Sequence, residues 1–349
     1  MGVFEHDALS GHERVVFAAD EPSGLRAIIA IHSTVLGPAG GGVRFYPYAS
    51  SDDALTDVLR LSRAMTSKFT LAGLPFGGGK SVIIGDPRKI KTDALLEAFG
   101  RAIDDLSGRY VSGEDVGTTP EDMAVIHRVT EHVAGRPDTT GDTSPATGEG
   151  LFHAIRAAVK QRLGKSDVDG VTVAVQGIGN VGYYLCRHLS EHGARLFVAD
   201  IDRAAVDRAV DAFGATAVSV DEILSFDADV LSPCALGAVL NDGTIPEIKA
   251  PIVCGGANNQ LAEERHADVL AERGVLFVPD FLANAGGAII GTSPFLGVGE
   301  AEVARKVAAI YDTCISLLEL AERDNIVPNR AAERLVDQRL AAARAKQPG

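Results

Sequence analysis

Residues 171–182 read VTVAVQGIGNVG, and this stretch decides the fold. A valine-rich run of five residues suits a strand buried on both faces, and glycines follow it in the order G-x-G-x-x-G. YYLCRHLSEHG behind them is compatible with a helix, and LFVAD ends the unit on Asp200, eighteen residues past Gly182. Such glycines allow a tight turn and bring a pyrophosphate close to the free amides of a helix N-terminus, where the helix dipole favours negative charge. A carboxylate after the second strand accepts hydrogen bonds from ribose hydroxyls and repels an additional phosphate. The glycine pattern alone is a weak signal. Strand, glycines, helix and acid together predict a dinucleotide site built on Gly177, Gly179, Asn180, Val181, Gly182 and Asp200, with NAD as the cofactor; Arg203 is the neighbour that would suit NADP.

Outward from this unit, apolar runs at 196–200, 228–234, 251–256 and 275–280 alternate with helical patterns, the order of a parallel sheet with covering helices. A long helical stretch, 300–323, and a polar C-terminal helix follow. Residues 135–150, GRPDTTGDTSPATGEG, read as a loop at a domain boundary. The expected fold is therefore α/β in two domains. A substrate-binding and oligomerisation domain covers 1–137, a Rossmann-type doubly wound domain covers 138–324, a cleft lies between them, and a helix over 325–349 packs back on the first domain.

A chain of 349 residues, 46% of them hydrophobic, has material for two cores. Its 33 basic against 47 acidic residues, a net charge of −14, argue against a nucleic-acid or anionic-membrane surface and favour a small-molecule ligand. No apolar run approaches the ~20 residues of a membrane span, and MGVFEHDALSGHERVV lacks the regions of a signal peptide, so a cytoplasmic protein is expected. Cys186, Cys234, Cys254 and Cys314 form no C-x-x-C pair and read as reduced, mostly buried thiols. His188, Glu191 and His192 spell the zinc-protease order H-x-x-E-H, but a helix packed on a sheet carries such residues on its polar face, and no metal is expected.

In the first third, residues 27–32 suit a strand. Ser50 and Ser51 with Asp52 and Asp53 offer an N-cap and first-turn acids for a helix through ALTDVLRLSRAMTSKF that ends near Lys68. Further helices are expected over 93–106 and from Pro120. LPFGGGKS, 74–81, approaches the P-loop but has Leu74 where the first glycine is required, and VIIGDP after it suits a strand and turn instead of a helix. Its lysine needs another task.

GPAGGGVR (37–44), MTSK (65–68), LPFGGGKS, GEDVGTTPEDM (113–123), PCALGAVLND (233–242), GGANNQLA (255–262) and PDFLANAGG (279–287) stand in an order and spacing that resemble the Glu/Leu/Phe/Val amino-acid dehydrogenase family, its leucine, valine and phenylalanine branch above all. The likeness runs from about His12 to Arg339. It implies NAD-dependent, reversible oxidative deamination of a nonpolar L-amino acid to a 2-oxo acid and ammonia, by a homo-oligomer. By the same resemblance Lys68 pairs with the substrate carboxylate, Lys80 and Asp115 are catalytic, and Gly40, Gly41, Met65, Gly113, Asn259, Ala288 and Gly291 line the substrate site. Thr147, Ile201, Ala235, Leu236, Ala257 and Asn258 then join the cofactor residues; Gly148 and Glu149 depart from the family's usual T-A-[YF]-G. A lysine titrates near 10.4 and is a poor base at neutral pH, so Lys68 close to Lys80 in a desolvated cleft is expected to lower it, while Gly77–Gly79 let the backbone approach substrate.

The leucine enzymes carry leucine where this chain has Gly40, alanine at Gly113, and valines at Ala288 and Gly291. All four are smaller here, and each CH₂ not buried forfeits about 0.8 kcal/mol, so a bulky, phenylalanine-like side chain is favoured. The alternative is a branched-chain (valine or leucine) enzyme, which the wording of HSTVLGPAGGGVRFYPYAS suits. A hydroxy-acid dehydrogenase would need a histidine-carboxylate base, and a non-catalytic nucleotide-binding homologue would not need Lys68, Lys80 and Asp115 together.

Overall fold

The computed structural model describes residues 3–137 and 141–346. The chain forms two compact units, one of Met1–Gly141, Gly291–Val298 and Val336–Gly349, the other of Asp142–Ile290 and Gly299–Leu335. The boundaries differ from the sequence reading in two ways. Residues 291–298 belong with the first unit, and only the second half of the C-terminal helix does.

The first unit contains β1 (Arg14–Asp20), β2 (Leu25–Ser33), β3 (Ala39–Gly40), β4 (Val43–Tyr46), α1 (Ser51–Leu71), β5 (Gly77–Ile84), α2 (Pro87–Ile90), α3 (Asp93–Asp104), β6 (Tyr110–Val111) and α4 (Pro120–His127). Its sheet has the order β1-β2-β5-β3-β6, with β4 also paired to β5. β2 is buried on both faces, which explains its unbroken apolar sequence. Ile29 and Ile31 point into a core with Leu95, Phe99, Met123 and Ile126 of α3 and α4, while Ile28 and Ala30 meet Leu55, Val58 and Leu59 of α1. Strand periodicity then sets the site: Val82 of β5 packs on the α1 side and Ile83 on the other, so Lys80 shares the α1 side with Val82. α1 starts as its sequence predicts, with the Ser50 hydroxyl accepting from the Asp53 amide at 3.0 Å. A reciprocal cap between Thr119 and Asp122 opens α4.

The second unit begins with α5 (Ser144–Leu163), so the sequence expectation of a loop over 135–150 is corrected. Gly148 and Gly150 serve close packing there: a Cβ would lie 2.7 Å from that of Tyr184 at the first and 2.7 Å from Ile310 Cδ1 at the second. There follow β7 (Thr172–Gln176), α6 (Asn180–Glu191), β8 (Arg195–Ala199), α7 (Arg203–Phe213), β9 (Thr216–Ala217), β10 (Val230–Pro233), β11 (Ile252–Val253), α8 (His266–Glu272), β12 (Leu276–Phe277), α9 (Asp280–Ala283), α10 (Gly286–Leu296), α11 (Glu300–Ala308), α12 (Ile310–Asp324) and α13 (Pro328–Arg344). The sheet is parallel, in the order β12-β11-β10-β7-β8-β9, with the strand order reversing between β7 and β10. The single long helix expected over 300–323 is two, parted at Ala309. In the first unit's part of α13, Arg339 donates to the Thr70 and Leu71 carbonyls at 2.9 and 3.0 Å and so closes the C-terminal end of α1.

All four cysteines are free thiols, three buried and Cys234 partly so. Among the described residues no helix is long and apolar enough to cross a membrane. His188 and His192 lie against the ring of Phe152, with centroids 5.7 and 4.6 Å away.

Two histidines brace α1 from behind. His12 reaches Ser62 at 2.8 Å, His32 reaches Thr66 at 2.8 Å, and their rings meet edge to face. Burial, then the neighbouring His12, Arg63 and Arg344, push His32 down to about 4. Its neutral form is the folded form, so its contribution is complete above pH 6.5 and is lost as pH falls from 6.5 toward 4. Thermal unfolding followed by circular dichroism is expected to show a wild-type loss on the order of 2 kcal/mol across that window beyond that of His32→Gln. Parallel pH curves for the two proteins would remove His32 as the cause.

Candidate active site

Lys80 stands in the middle of β5, paired with Ala30 of β2, and is 6% exposed. Its Nζ lies 3.0 Å from Oδ2 of Asp115, which follows β6 in the loop EDVGT. The Thr118 hydroxyl accepts from the Asp115 amide at 2.9 Å and donates back to its carbonyl, which fixes that loop. Gly117, at φ +82°, has no room for a side chain, since a Cβ would sit 2.1 Å from the Phe45 carbonyl oxygen.

A residue that the sequence reading passed over completes the group. Arg44 of β4 donates from Nε to the same Asp115 Oδ2 at 3.1 Å, and from Nη1 to Asp57 of α1 at 2.9 Å. Burial pushes the Lys80 ammonium below its ordinary range; Asp115 opposes the shift and Arg44 adds to it. Burial alone would raise Asp115, but Lys80 and Arg44 outweigh it and hold the carboxyl below the usual carboxylate range. Arg44 is thus a cation beside Lys80 that the sequence reading did not name. The signal was available in GPAGGGVR, in an arginine two residues past a glycine run.

The glycines around Lys80 differ from expectation as well. A Cβ at Gly77 would lie 1.8 Å from the Ser33 carbonyl oxygen, at Gly78 2.0 Å from Thr66 Oγ1 and 2.2 Å from the Thr66 nitrogen, and at Gly79 2.8 Å from the Tyr110 ring. The close approach they permit is to the protein's own helix and strands. Gly41 likewise presses on the Gly79 carbonyl, its amide donating to Val111 at 3.1 Å and its carbonyl accepting from Tyr110 at 2.5 Å.

Lys68 and Met65 lie half-buried on α1, three residues apart and so on one helical face. Thr66, between them in sequence, is the residue that meets Gly78, which sets this end of the helix over β5. The four positions expected to enlarge a pocket separate into two classes. At Gly40 the vacated space is filled, because a Cβ would meet Phe69 at 2.9 Å and Phe76 at 3.2 Å. At Gly113 the nearest atom is 3.8 Å away, and at Gly291 nothing lies within 4 Å. The Phe295 ring lies tilted against that of Phe76, centroids 5.8 Å apart, and a cavity of about 130 Å³ beside Gly291 and Phe295 is otherwise lined largely by His127, Glu131 and Arg136. Ala288 is half-buried on α10.

In the second unit the three glycines of the loop after β7 have three environments. Gly177, at φ +93°, would meet Ala235 at 2.7 Å, and Gly182 would meet the Gly177 carbonyl oxygen at 2.0 Å, so both close the turn and the helix onto the strand. Around Gly179 nothing lies within 4 Å of a Cβ position. It is the N-cap of α6, with Asn180 exposed and Val181 partly buried on the first turn. This open backbone, at the point where strand order reverses, fits a dinucleotide pyrophosphate. Asp200 accepts from the Ile178 amide at 2.6 Å and the Asp202 amide at 2.8 Å, so it also holds the loop, while each oxygen keeps a further lone pair for a ligand. Ile201 and Leu236, in the loops after β8 and β10, the strands flanking β7, leave 95% and 76% of their surface exposed. Arg203 is engaged with Asp207 at 2.9 Å.

Thr147, on the first turn of α5, is buried and donates to the Thr143 carbonyl at 2.9 Å. Asn258 and Asn259 are exposed, Asn259 with a left-handed φ of +52°, and Ala257 is buried before them. A second overlooked residue, Asn284 in PDFLANAGG, is buried and donates to Asn258 Oδ1 at 2.7 Å, orienting that amide.

Comparison with known proteins agrees with both halves of this description. Residues 12–132 match the Glu/Leu/Phe/Val dehydrogenase dimerisation domain, and 140–206 with 198–295 match Glutamate/Leucine/Phenylalanine/Valine dehydrogenase. The chain is 47% identical to a leucine dehydrogenase of Bacillus cereus over 343 residues, 97% of this chain and 94% of that protein. It is 44% identical to a phenylalanine dehydrogenase of Caldalkalibacillus thermarum over 349 residues, 97% and 94% of the two chains. The crystal structure of L-tryptophan dehydrogenase from Nostoc punctiforme superimposes with a TM-score of 0.92 at 44% identity, covering 99% of this chain and 100% of that one. The chain belongs to the Glu/Leu/Phe/Val dehydrogenase family, in its leucine/phenylalanine branch, and is an amino-acid dehydrogenase acting on the CH–NH₂ group of its donor.

Proposed function

We propose that the protein catalyses NAD-dependent, reversible oxidative deamination of a bulky nonpolar L-amino acid, with Lys80 and Asp115 as its proton-transfer pair. The observation that carries this reading is the buried contact of 3.0 Å between them. The balanced reaction converts amino acid, NAD⁺ and water to 2-oxo acid, ammonium, NADH and a proton. Lys68 holds the substrate carboxylate. Asp115, kept ionised by its two cations, takes a proton from the amino group and later returns one to the departing nitrogen. Lys80, its proton loosened by burial, removes a proton from the water that attacks the imine carbon. The bound dinucleotide supplies the hydride acceptor; Asp200, the loop 177–182 and Thr147 hold it, with Asn258 oriented by Asn284.

NAD over NADP is supported by Asp200, whose negative charge faces the ribose position, and by the engagement of Arg203 with Asp207. The family match over 12–132 to a dimerisation domain supports a homo-oligomer, for which the edge strand β1, with Phe17 56% exposed, offers a surface.

The bulky side chain is supported by the open space at Gly113 and Gly291 and by the aromatic wall of Phe69, Phe76 and Phe295. The filled space at Gly40 favours the second reading, a branched-chain enzyme, because one of the four reductions brings no room.

Three outcomes are expected. Lys80→Ala and Asp115→Asn lose roughly a hundredfold or more in kcat while keeping their folded circular-dichroism spectra; turnover near the wild-type rate would remove either residue from the chemistry. In a panel of L-amino acids kcat/KM for phenylalanine exceeds that for valine, and Gly291→Val lowers that ratio about tenfold; valine ahead of phenylalanine in the wild type would instead establish the branched-chain reading. NAD exceeds NADP in kcat/KM by about a hundredfold or more and Asp200→Ser narrows the gap; equal use of both by the wild type would refute the assignment.

A further inference from the structure

We propose that Arg44, Asp57 and Tyr48 are positioning residues for proton transfer, a hydrogen-bonded file that ends on Asp115 and holds one of its carboxylate oxygens against Lys80. The proposal rests on the assignment of Lys80 and Asp115 as the proton-transfer pair.

The file is continuous. The Tyr48 hydroxyl donates to Asp57 Oδ2 at 2.5 Å, Arg44 Nη1 donates to that same oxygen at 2.9 Å, and Arg44 Nε donates to Asp115 Oδ2 at 3.1 Å, where Lys80 Nζ stands at 3.0 Å. Its members come from four places: Tyr48 and Arg44 from β4 and the turn after it, Asp57 from α1, Asp115 from the loop after β6, and Lys80 from β5. Helix, sheet and loop therefore cannot shift independently without breaking a charged contact.

Side-chain exposures of 21% for Arg44, 28% for Asp57 and 22% for Asp115 keep most water away, so these charges act on one another strongly. Two cations and two anions balance, and Tyr48 adds a phenol that burial and Asp57 keep protonated, hence a donor. Arginine is required at the centre because two carboxylates are bridged by two nitrogens of one planar group, which an ammonium on a flexible stem cannot reproduce. Rotating the Asp115 carboxylate out of this plane would cost the Arg44 and Lys80 contacts together, so one oxygen stays on Lys80.

The two charged positioning residues act on Lys80 with opposite sign. Arg44 disfavours its ammonium and Asp57 favours it. Loss of the Arg44 charge leaves Lys80 protonated to higher pH; loss of the Asp57 charge releases its proton at lower pH. A merely structural role would not divide the two in this way.

The test is the pH profile of kcat/KM for deamination of L-phenylalanine or L-leucine, whichever turns over faster, by the full-length protein. Wild type, Arg44→Met, Arg44→Lys, Asp57→Asn, Tyr48→Phe and Lys80→Ala are compared. Arg44→Met is expected to lose about tenfold or more in kcat with its acid limb displaced to higher pH, and Asp57→Asn to displace the limb to lower pH. Arg44→Lys does not recover the rate, and Tyr48→Phe gives a smaller loss in kcat than Arg44→Met. If Arg44→Met does not fold, the near-isosteric Asp57→Asn carries the sign test. Limbs that stay in place or move the same way while Lys80→Ala is inactive overturn the positioning role and leave the catalytic pair standing. Wild-type turnover by Lys80→Ala overturns the pair and the file with it.

Discussion

The structure of the first unit depends on holding one ammonium group, that of Lys80, inside the protein on the face of a sheet. Removing a cation from water costs several kcal/mol unless a partner is held against it in good geometry. Asp115 is that partner, and its contact is kept by the Thr118 turn on one side and Arg44 on the other. The same burial that makes the partner necessary weakens the hold of Lys80 on its proton, so stability and chemistry draw on one arrangement. Breaking either half leaves a buried charge exposed to the full desolvation cost.

Much of the surrounding sequence follows from this. For β4, β5 and the loop after β6 to converge within hydrogen-bond distance, backbones must approach closer than a Cβ allows. Gly41, Gly42, Gly78 and Gly79 each stand where an added Cβ would fall within about 3 Å of a neighbour, as the distances of 1.8, 2.3, 2.0 and 2.8 Å attest. The second unit solves a different problem with the same residue type. Gly177 and Gly182 permit contact within the protein, whereas Gly179 leaves backbone uncovered for a ligand. Asp200 connects the two uses, since its carboxylate accepts the Ile178 amide of the loop and, just past the end of β8, keeps a further lone pair on each oxygen.

Some of the site was legible because its signals are local. The G-x-G-x-x-G loop, the Ser50 cap, Pro120 at a helix start and the two lysines of MTSK and GGGKS are each read within a few residues. Arg44 was passed over because its significance depends on Asp57 and Asp115, thirteen and seventy-one positions away. Gly40 was misjudged for a similar reason. A glycine in place of leucine suggests space, but Phe69 and Phe76 occupy it, and their rings arrive from the end of α1 and the start of β5. The stretch 135–150 looked like a loop because Gly148 and Gly150 count as breakers in a local reading, while in the fold they are the points at which α5 meets α6 and α12.

The sequence by itself determined the α/β class, the parallel order of the second sheet's elements and the G-x-G-x-x-G turn, because periodicity, capping and motif spacing are properties of contiguous residues, while the pair of Lys80 and Asp115 was an expectation from the family resemblance. Only the tertiary structure decided that Arg44 joins Lys80 and Asp115, which glycines face protein and which face open space, and where side-chain room exists. Those depend on distances between residues far apart in the chain, and burial and charge act through space, not along the sequence.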